Sequence, residues 1–455
     1  MLTRRRFAQL GAMASASAAL SGRGVIAAQA EQAADFTLEI APYTVEPSPK
    51  HRFRTLAYNG QVPGPLLRMK QGRAVTVDIR NRGGEPDIVH WHGLFLPVEA
   101  DGAMEEGSPM IPAGASTRLS FTPDPPGFRW FHTHTFAGND LRKAQYGGEH
   151  GFLLIEPRED PARFDREVFL ALHDWGGYDM SSGDGSAMPQ YDVSTINGKM
   201  LGFGDPVKVK QGERVMMHIL NSSPTEVHWI SLSGHAFEVV ALDGNAVPTP
   251  RTVEMLRLAP AERVSAVVRM DAPGIWVLGE VREPVKKAGM GIVVEYAGAS
   301  GDPKWIQPGE MVWDYGSFAR QAQVSQASLG QDEVIEIPLS FKSKFQGHAS
   351  EERWLINGKP YPEAEAPRLI EGKRYRLAMK NMSQDEHPIH LHRHTFEVVE
   401  VGGMAMRGLM KDVVLIPVKG TSSVEFVANN PGNTLFHCHQ QDHMDRGFMM
   451  VFRYA

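Results

Sequence analysis

The chain has 455 residues, 42% of them hydrophobic and 22% charged, with a formal net charge of −6, which is material for about two to four packed domains. A mildly acidic balance with no basic patch excludes a nucleic-acid-binding class. The single cysteine, Cys438, excludes an internal disulfide and must be a buried small residue, a reactive thiol or a metal ligand.

Residues 1–30 read as an address. T-R-R-R-F-A-Q-L (Thr3 to Leu10) precedes an apolar run of small residues from Leu10 to Leu20, and Ala28-Gln29-Ala30 offers a cleavage site. The order resembles a twin-arginine export signal, a route that carries folded cargo and involves the twin-arginine machinery. The mature chain is expected to start near Glu31 and to reside in a periplasm or outside the cell. No later stretch reaches about 18 apolar residues, so no membrane span is expected in it.

Three similar blocks follow. Asn59-Gly60, Asn197-Gly198 and Asn357-Gly358 each open one, and each continues through a glycine turn into an alternating strand that ends at Asn81, Asn221 or Asn381. Period-2 strands and turn dipeptides, with little helical periodicity, predict an all-β chain of three β-sandwiches. The expected boundaries are a signal over 1–30, sandwiches over 31–158, 159–298 and 333–455, and an irregular linker over 299–332.

The repeats act as a control on the histidines. H-W-I-S-L-S-G-H-A-F-E-V-V (His228 to Val240) matches H-P-I-H-L-H-R-H-T-F-E-V-V (His387 to Val399), with Ser231 and Ser233 standing where His390 and His392 stand. P-G-F-R-W-F-H-T-H (Pro126 to His134) and P-G-N-T-L-F-H-C-H (Pro431 to His439) share a His-x-His pair that P-G-I-W-V-L-G-E-V (Pro273 to Val281) lacks. The strands fold without these histidines, so their retention in the first and third repeats points to function. Four pairs result: His90/His92, His132/His134, His390/His392 and His437/His439. Residues i and i+2 of a strand share a face, so each pair offers two imidazoles to one space, and imidazole suits copper, zinc, iron and nickel.

Cys438 lies between two of them. If His437 and His439 face the boundary between the first and third repeats, Cys438 faces the interior of the third sandwich. There it can join His387 and His443 in a set of two histidines and one thiolate, the ligand set of a blue-copper electron-transfer centre. The cysteine then connects two metal sites by one peptide step on either side.

H-W-H-G, H-T-H, H-P-I-H-L-H and H-C-H-Q-Q-D-H together resemble the four signatures of the multicopper oxidases, and the resemblance spans the mature chain. It implies three cupredoxin-like Greek-key sandwiches and four copper ions. By position it assigns His387, Cys438 and His443 to one type 1 copper, and His90 and His390 to one type 2 copper. It assigns His92, His132, His134, His392, His437 and His439 to two type 3 coppers. His394 and its counterpart His235 match no ligand and read as structural. Ten residues after Cys438, where many bacterial members have an axial methionine, stands Phe448, which cannot donate to copper, but a shift of one residue would bring in Met449. Met444 follows His443 where relatives often have a proton-delivering glutamate; Asp445 either substitutes for it or is an ordinary solvated carboxylate. Asp101 matches the family's acid near the type 2 copper, though Asp101-Gly102 is also a common turn pair. The implied activity is one-electron oxidation of a reductant, relayed by Cys438, His437 and His439, coupled to reduction of O2 to water. Phenols and aromatic amines are the expected reductants. Cu(I) or Fe(II) is the alternative, suggested by 22 methionines, the run Met404 to Met410, and Asp385 and Glu386 beside His387. A non-catalytic copper-binding or structural protein is the reading from another class.

Overall fold

Each of the three Asn-Gly dipeptides closes a tight turn whose shape demands those residues. Asn59, Asn197 and Asn357 have φ of 54°, 52° and 51°, followed by Gly60, Gly198 and Gly358 at 66°, 73° and 82°. This is the left-handed pair that a two-residue hairpin turn requires. The turns leave bridges between Tyr58 and Gln61, Ile196 and Lys199, and Ile356 and Lys359. In each, the asparagine Oδ1 accepts from a neighbouring strand, from the backbone N–H of Glu39, Ala171 or Ser340.

Asn81, Asn221 and Asn381 are equally alike. Each is buried, and each donates from Nδ2 to two carbonyls: of Glu85 and Ile111, of Glu226 and Leu258, and of Asp385 and Pro417. Oδ1 accepts from the N–H two residues on, of Gly83, Ser223 or Ser383. A buried amide that makes three hydrogen bonds in the same way in each of three repeats fixes the loop before the strand that carries, or in the middle repeat lacks, the histidines.

In this computed structural model the described residues are 33–138, 140–159, 164–178, 189–310, 312–321, 334–346 and 348–455. The export signal expected over 1–30 and residues 322–332 of the expected linker lie outside them. Among the described residues there are six sheets, two per repeat. Strands between Phe36 and Glu156 form two four-stranded sheets, strands between Arg166 and Tyr296 form sheets of six and five, and strands from Arg320 onward form sheets of seven and four. The chain is thus three β-sandwiches. The linker is not wholly irregular: Arg320–Gln321 pairs with Met404–Lys411 at the edge of the seven-stranded sheet, and Tyr315 and Phe318 join the core. One apolar cluster runs through the second and third sandwiches, while the first keeps its own around Leu38, Val77 and Phe131. No described helix is long and apolar enough to cross a membrane.

Candidate metal centre

In the first sandwich Val89–His90 runs antiparallel to Gly127–Thr133, with His90 opposite His132. In the third, His387–Leu391 runs antiparallel to Thr434–Cys438, with His390 opposite His437. The middle sandwich has the same register with Ser231 opposite Gly279. The eight histidines of the four pairs converge in one space between the first and third sandwiches, none more than 1% exposed. They cross-stack: His90 lies on His392 at 4.0 Å between ring centroids, and His92 lies on His390 at 3.8 Å. Ring nitrogens of His134, His392 and His437 lie within 4.8 Å of one another, as do those of His90, His390 and His392. His92, His132 and His439 form a further triangle with centroid separations of 5.7, 5.1 and 5.2 Å.

Hydrogen bonds fix which nitrogen is bare in six of the eight rings. His90, His132, His390 and His437 donate from Nδ1 to the carbonyls of Asp101, Thr133, Asp412 and Cys438, at 2.9, 2.7, 2.6 and 2.9 Å. His392 donates from Nδ1 to the Asp101 carboxylate at 2.9 Å. A neutral imidazole carries one proton, so each of these five turns a lone pair at Nε2 into the space. His92 is reversed: its Nε2 faces the Asp412 carboxylate at 3.2 Å, which leaves Nδ1 bare.

Burial, together with the neighbouring imidazoles, holds the rings of His92, His132, His134, His390, His392 and His439 well below the usual histidine range, and burial brings His437 to about 3. The bare nitrogens of His90, His92, His132, His134, His390 and His439 have no protein partner. His392 and His437 point two lone pairs at each other across 3.1 Å. Buried polar atoms are nearly always paired. Converging lone pairs are what a soft or borderline cation satisfies, and imidazole donors fit copper.

Cys438 turns to the other side. Its Sγ lies 3.8 Å from His387 Nδ1 and 3.6 Å from His443 Nδ1, with all three residues buried. Burial raises the thiol well above its ordinary range, so a thiolate here requires a cation, and the donor set suits copper. Ser383 Oγ binds His387 Nε2 at 2.8 Å and fixes that ring, while Trp354 packs against His443 at 4.0 Å. The Phe448 ring lies 4.8 Å from that of His387. Met449 stands opposite His437 and packs with Ala103, Leu435 and Met444 on the other face.

Asp101 both ends the short helix Val98–Asp101, which Gly102 caps, and neighbours the cluster. Gly102 has φ 90°, and a Cβ there would meet the Val89 carbonyl at 1.9 Å, so the turn needs its glycine. Asp101 Oδ2 lies between His90 Nδ1 at 3.2 Å and His392 Nδ1 at 2.9 Å. Asp445 ends the short helix Gln441–Asp445 and accepts from the N–H groups of Ala137 and Gly138, both at 3.0 Å, in the loop after His134. Partial burial raises it to about 7. His394 and His235 each donate to or accept from a tyrosine hydroxyl, of Tyr454 and Tyr296, and take no part in either group.

Sequence reading missed several neighbours. Glu106 lies beside Asp101, and its burial, helped by the Asp101 charge, raises it well above the carboxylate range. Glu105, raised by burial to about 6, lies 3.8 Å from His134 Nδ1. Their position shortly after Asp101 in A-D-G-A-M-E-E was a usable signal. Asp412, Arg129 and Arg263 come from three different repeats and left none.

Three cupredoxin sandwiches with a histidine cluster beside a cysteine-histidine pocket define a copper-dependent oxidase. Family profiles described as "Multicopper oxidase" match residues 39–160, 167–291 and 336–455. The chain belongs to the multicopper oxidase family, binds copper, and is an oxidoreductase that uses O2. It is 29% identical over 431 residues to the multicopper oxidase MmcO of Mycobacterium tuberculosis, covering 86% of this chain and 82% of that protein. It is 25% identical over 536 aligned positions to Laccase-3 of Thanatephorus cucumeris, covering 92% and 91%. The crystal structure of a multicopper oxidase from Pseudomonas thermotolerans superposes with a TM-score of 0.73 at 25% identity, covering 93% of this chain and all of that one.

Proposed function

We propose that the chain is an exported laccase-type oxidase that takes electrons singly from phenols or aromatic amines and reduces O2 to water. Four copper ions are assigned: one at His387, Cys438 and His443, one at His90 and His390, and two among His92, His132, His134, His392, His437 and His439. Copper supplies one-electron oxidation at the first set and O2 reduction at the others. The observation that carries this reading is Cys438 itself, with its sulfur among His387 and His443 and its two chain neighbours in the cluster. Electrons received at the sulfur thus reach His437 or His439 through one peptide step. In this reading the buried carboxyls of Asp101 and Glu106 and the half-buried carboxyl of Asp445 supply protons for O2 reduction, and the first and third sandwiches exclude bulk water.

An aromatic reductant is supported by an open cavity of about 610 Å³ lined by Trp229, Met255, Val281, Pro308 and Val312, with Arg282, Gln307 and Glu310 also on its wall. Arg257 stacks over Trp229 at 5.1 Å and pairs with Glu386, the residue before His387. Cu(I) or Fe(II) is favoured instead by Asp442, buried beside His443 with one carboxylate oxygen unpartnered. Burial and the nearby Asp442 charge raise Asp385. Oxygen uptake by copper-loaded protein, compared for a phenol, Cu(I) and Fe(II), tests the assignment. Turnover fastest with a metal ion and negligible with phenols would overturn the laccase reading. Export by the twin-arginine route is tested by Arg4→Lys/Arg5→Lys/Arg6→Lys, which should leave the protein in the cytoplasm.

A further inference from the structure

Two aspartates stand on opposite sides of the histidine cluster in the same relation to it. The Asp101 carbonyl accepts from His90 Nδ1 of its own sandwich, and its carboxylate accepts from His392 of the third. The Asp412 carbonyl accepts from His390 Nδ1 of its own sandwich at 2.6 Å, and its carboxylate takes His92 Nε2 of the first at 3.2 Å. Each aspartate therefore holds one histidine at home and one across the boundary.

Their surroundings are opposite. Asp101 has the carboxyl Glu106 beside it. Asp412 is clamped by Arg263 of the middle sandwich through two bonds of 2.6 and 2.7 Å, and by Arg129 of the first at 3.0 Å. All three side chains are fully buried. The guanidiniums are themselves held by the Asp243 carbonyl. The middle repeat supplies a comparison: Glu254 precedes Met255–Leu258 as Asp412 precedes Val413–Ile416, and its carbonyl accepts from Ser231 Oγ as that of Asp412 accepts from His390. There the acid side chain is exposed. The sheet does not require a buried acid at this position; it is buried where it meets ligand histidines.

We propose that Asp412, whose carboxylate is locked by Arg263 and Arg129, is a positioning residue that fixes which nitrogen His92 presents, while its backbone carbonyl holds His390, and that the middle sandwich, with no histidine in the cluster, thereby sets the geometry of the copper site. An anion held in a bidentate guanidinium fork has one orientation. It requires His92 to carry its proton on Nε2 and to offer Nδ1, the reverse of its neighbours. Residues behind metal-binding histidines usually set ring orientation in this way, and their loss costs about 10- to 100-fold in metal affinity or activity. The proposal rests on His92 and His390 being copper ligands; copper loading of the unaltered protein tests that assignment, and only the difference between it and the variants tests Asp412.

The experiment compares Asp412→Asn and Asp412→Glu with the unaltered protein after the same copper loading. Copper per chain, the absorption and paramagnetic resonance of the histidine-bound copper, and the blue absorption of the cysteine-bound copper are measured together. The blue absorption reports folding, because His387, Cys438 and His443 do not touch Asp412. The expected result is a normal blue band with copper affinity at the histidine cluster lowered about 10- to 100-fold and its resonance altered. Asp412→Glu keeps the charge that the two guanidiniums need and displaces only the carboxylate, so it reports even if Asp412→Asn does not fold. Full copper content with unchanged cluster spectra in Asp412→Glu would overturn the proposal. Glu254→Gln is the control and should change none of these signals.

Discussion

On the proposed copper assignment, Phe448 is the residue that sets how firmly the sulfur pocket holds oxidised copper. Its ring lies against His387 and parallel to Trp354, whereas the Met449 side chain is on the opposite face. A phenyl ring donates nothing to copper, so Phe448→Met should add a weak sulfur donor, stabilise Cu(II) and lower the potential. The least reducing phenols should slow first. Met449→Leu should leave the potential almost unchanged, and a redox titration at the blue absorption that shows the reverse would place the wrong residue at the axial position. Cys438→Ser should abolish both the blue colour and oxidase turnover while the histidine cluster still binds copper, as metal analysis would show. These residues were legible because a strand's alternation says which way Cys438 faces once its neighbours are placed. Asp412 was not, since its partners Arg129 and Arg263 are distant in sequence and only tertiary structure joins them.

The strand that carries ligands in the third repeat carries a charge cage in the second. His228 stands at the position of His387, and Glu280 at that of Cys438. His228 Nδ1 binds Glu280 at 3.0 Å and Nε2 binds Asp174 at 2.8 Å, all buried. Burial opposes its charge, but the carboxylates of Asp174 and Glu280 raise the imidazole to about 9, and despite their own burial His228, joined at Glu280 by Arg282, lowers each of them to about 2. The histidine's contribution to stability is therefore complete below its unfolded value near 6.5 and is lost as pH rises through 9. The carboxylates' contribution is complete above their unfolded values near 4 and is lost as pH falls toward 2. In the apoprotein the neutral histidines of the cluster, held below their unfolded value near 6.5, also lose stability as pH falls below it, so thermal unfolding should report the cage on its alkaline limb, where stability falls as pH rises toward 9. Glu280→Gln should lower stability by about 3–5 kcal/mol, as for a buried ion set that loses one partner, and should flatten the alkaline limb. An unchanged alkaline limb in Glu280→Gln would show that another group governs it. At this scale the repeats made the missing ligands plain, because Ser231 and Gly279 replace histidines in an aligned register. The cage was not legible, because Asp174 joins it from a strand outside the compared segments.

Across the whole molecule, the two proposed copper sites depend on the fold to different degrees. The sulfur pocket belongs to the third sandwich alone, but the histidine cluster exists only while the first and third stay together. Arg393 is central to that contact. It is 1% exposed at φ 60°, a conformation a non-glycine residue rarely holds. Its guanidinium donates to Leu96 of the first sandwich at 2.8 Å and to Asn430, Pro431, Asn433 and Thr434 of the third. Asn430 and Asn433 also reach the carbonyls of Leu96 and Glu106. The three-sandwich plan was visible in the turns and alternation of each repeat, but how the sandwiches meet was not, because an arginine in a loop looks like any solvated charge until its partners are known. Arg393→Lys keeps the charge and gives up most of the planar donor fork. In rising urea with a mild chelator, cluster copper should leave the unaltered protein before the blue band fades. Arg393→Lys should bring the cluster loss to lower urea and leave the blue transition almost where it was. Copper retained per chain and blue absorbance, followed in one titration, separate the two events. If they shift together, the third sandwich itself has been weakened and Arg393 is a core residue, not the joint between the first and third sandwiches.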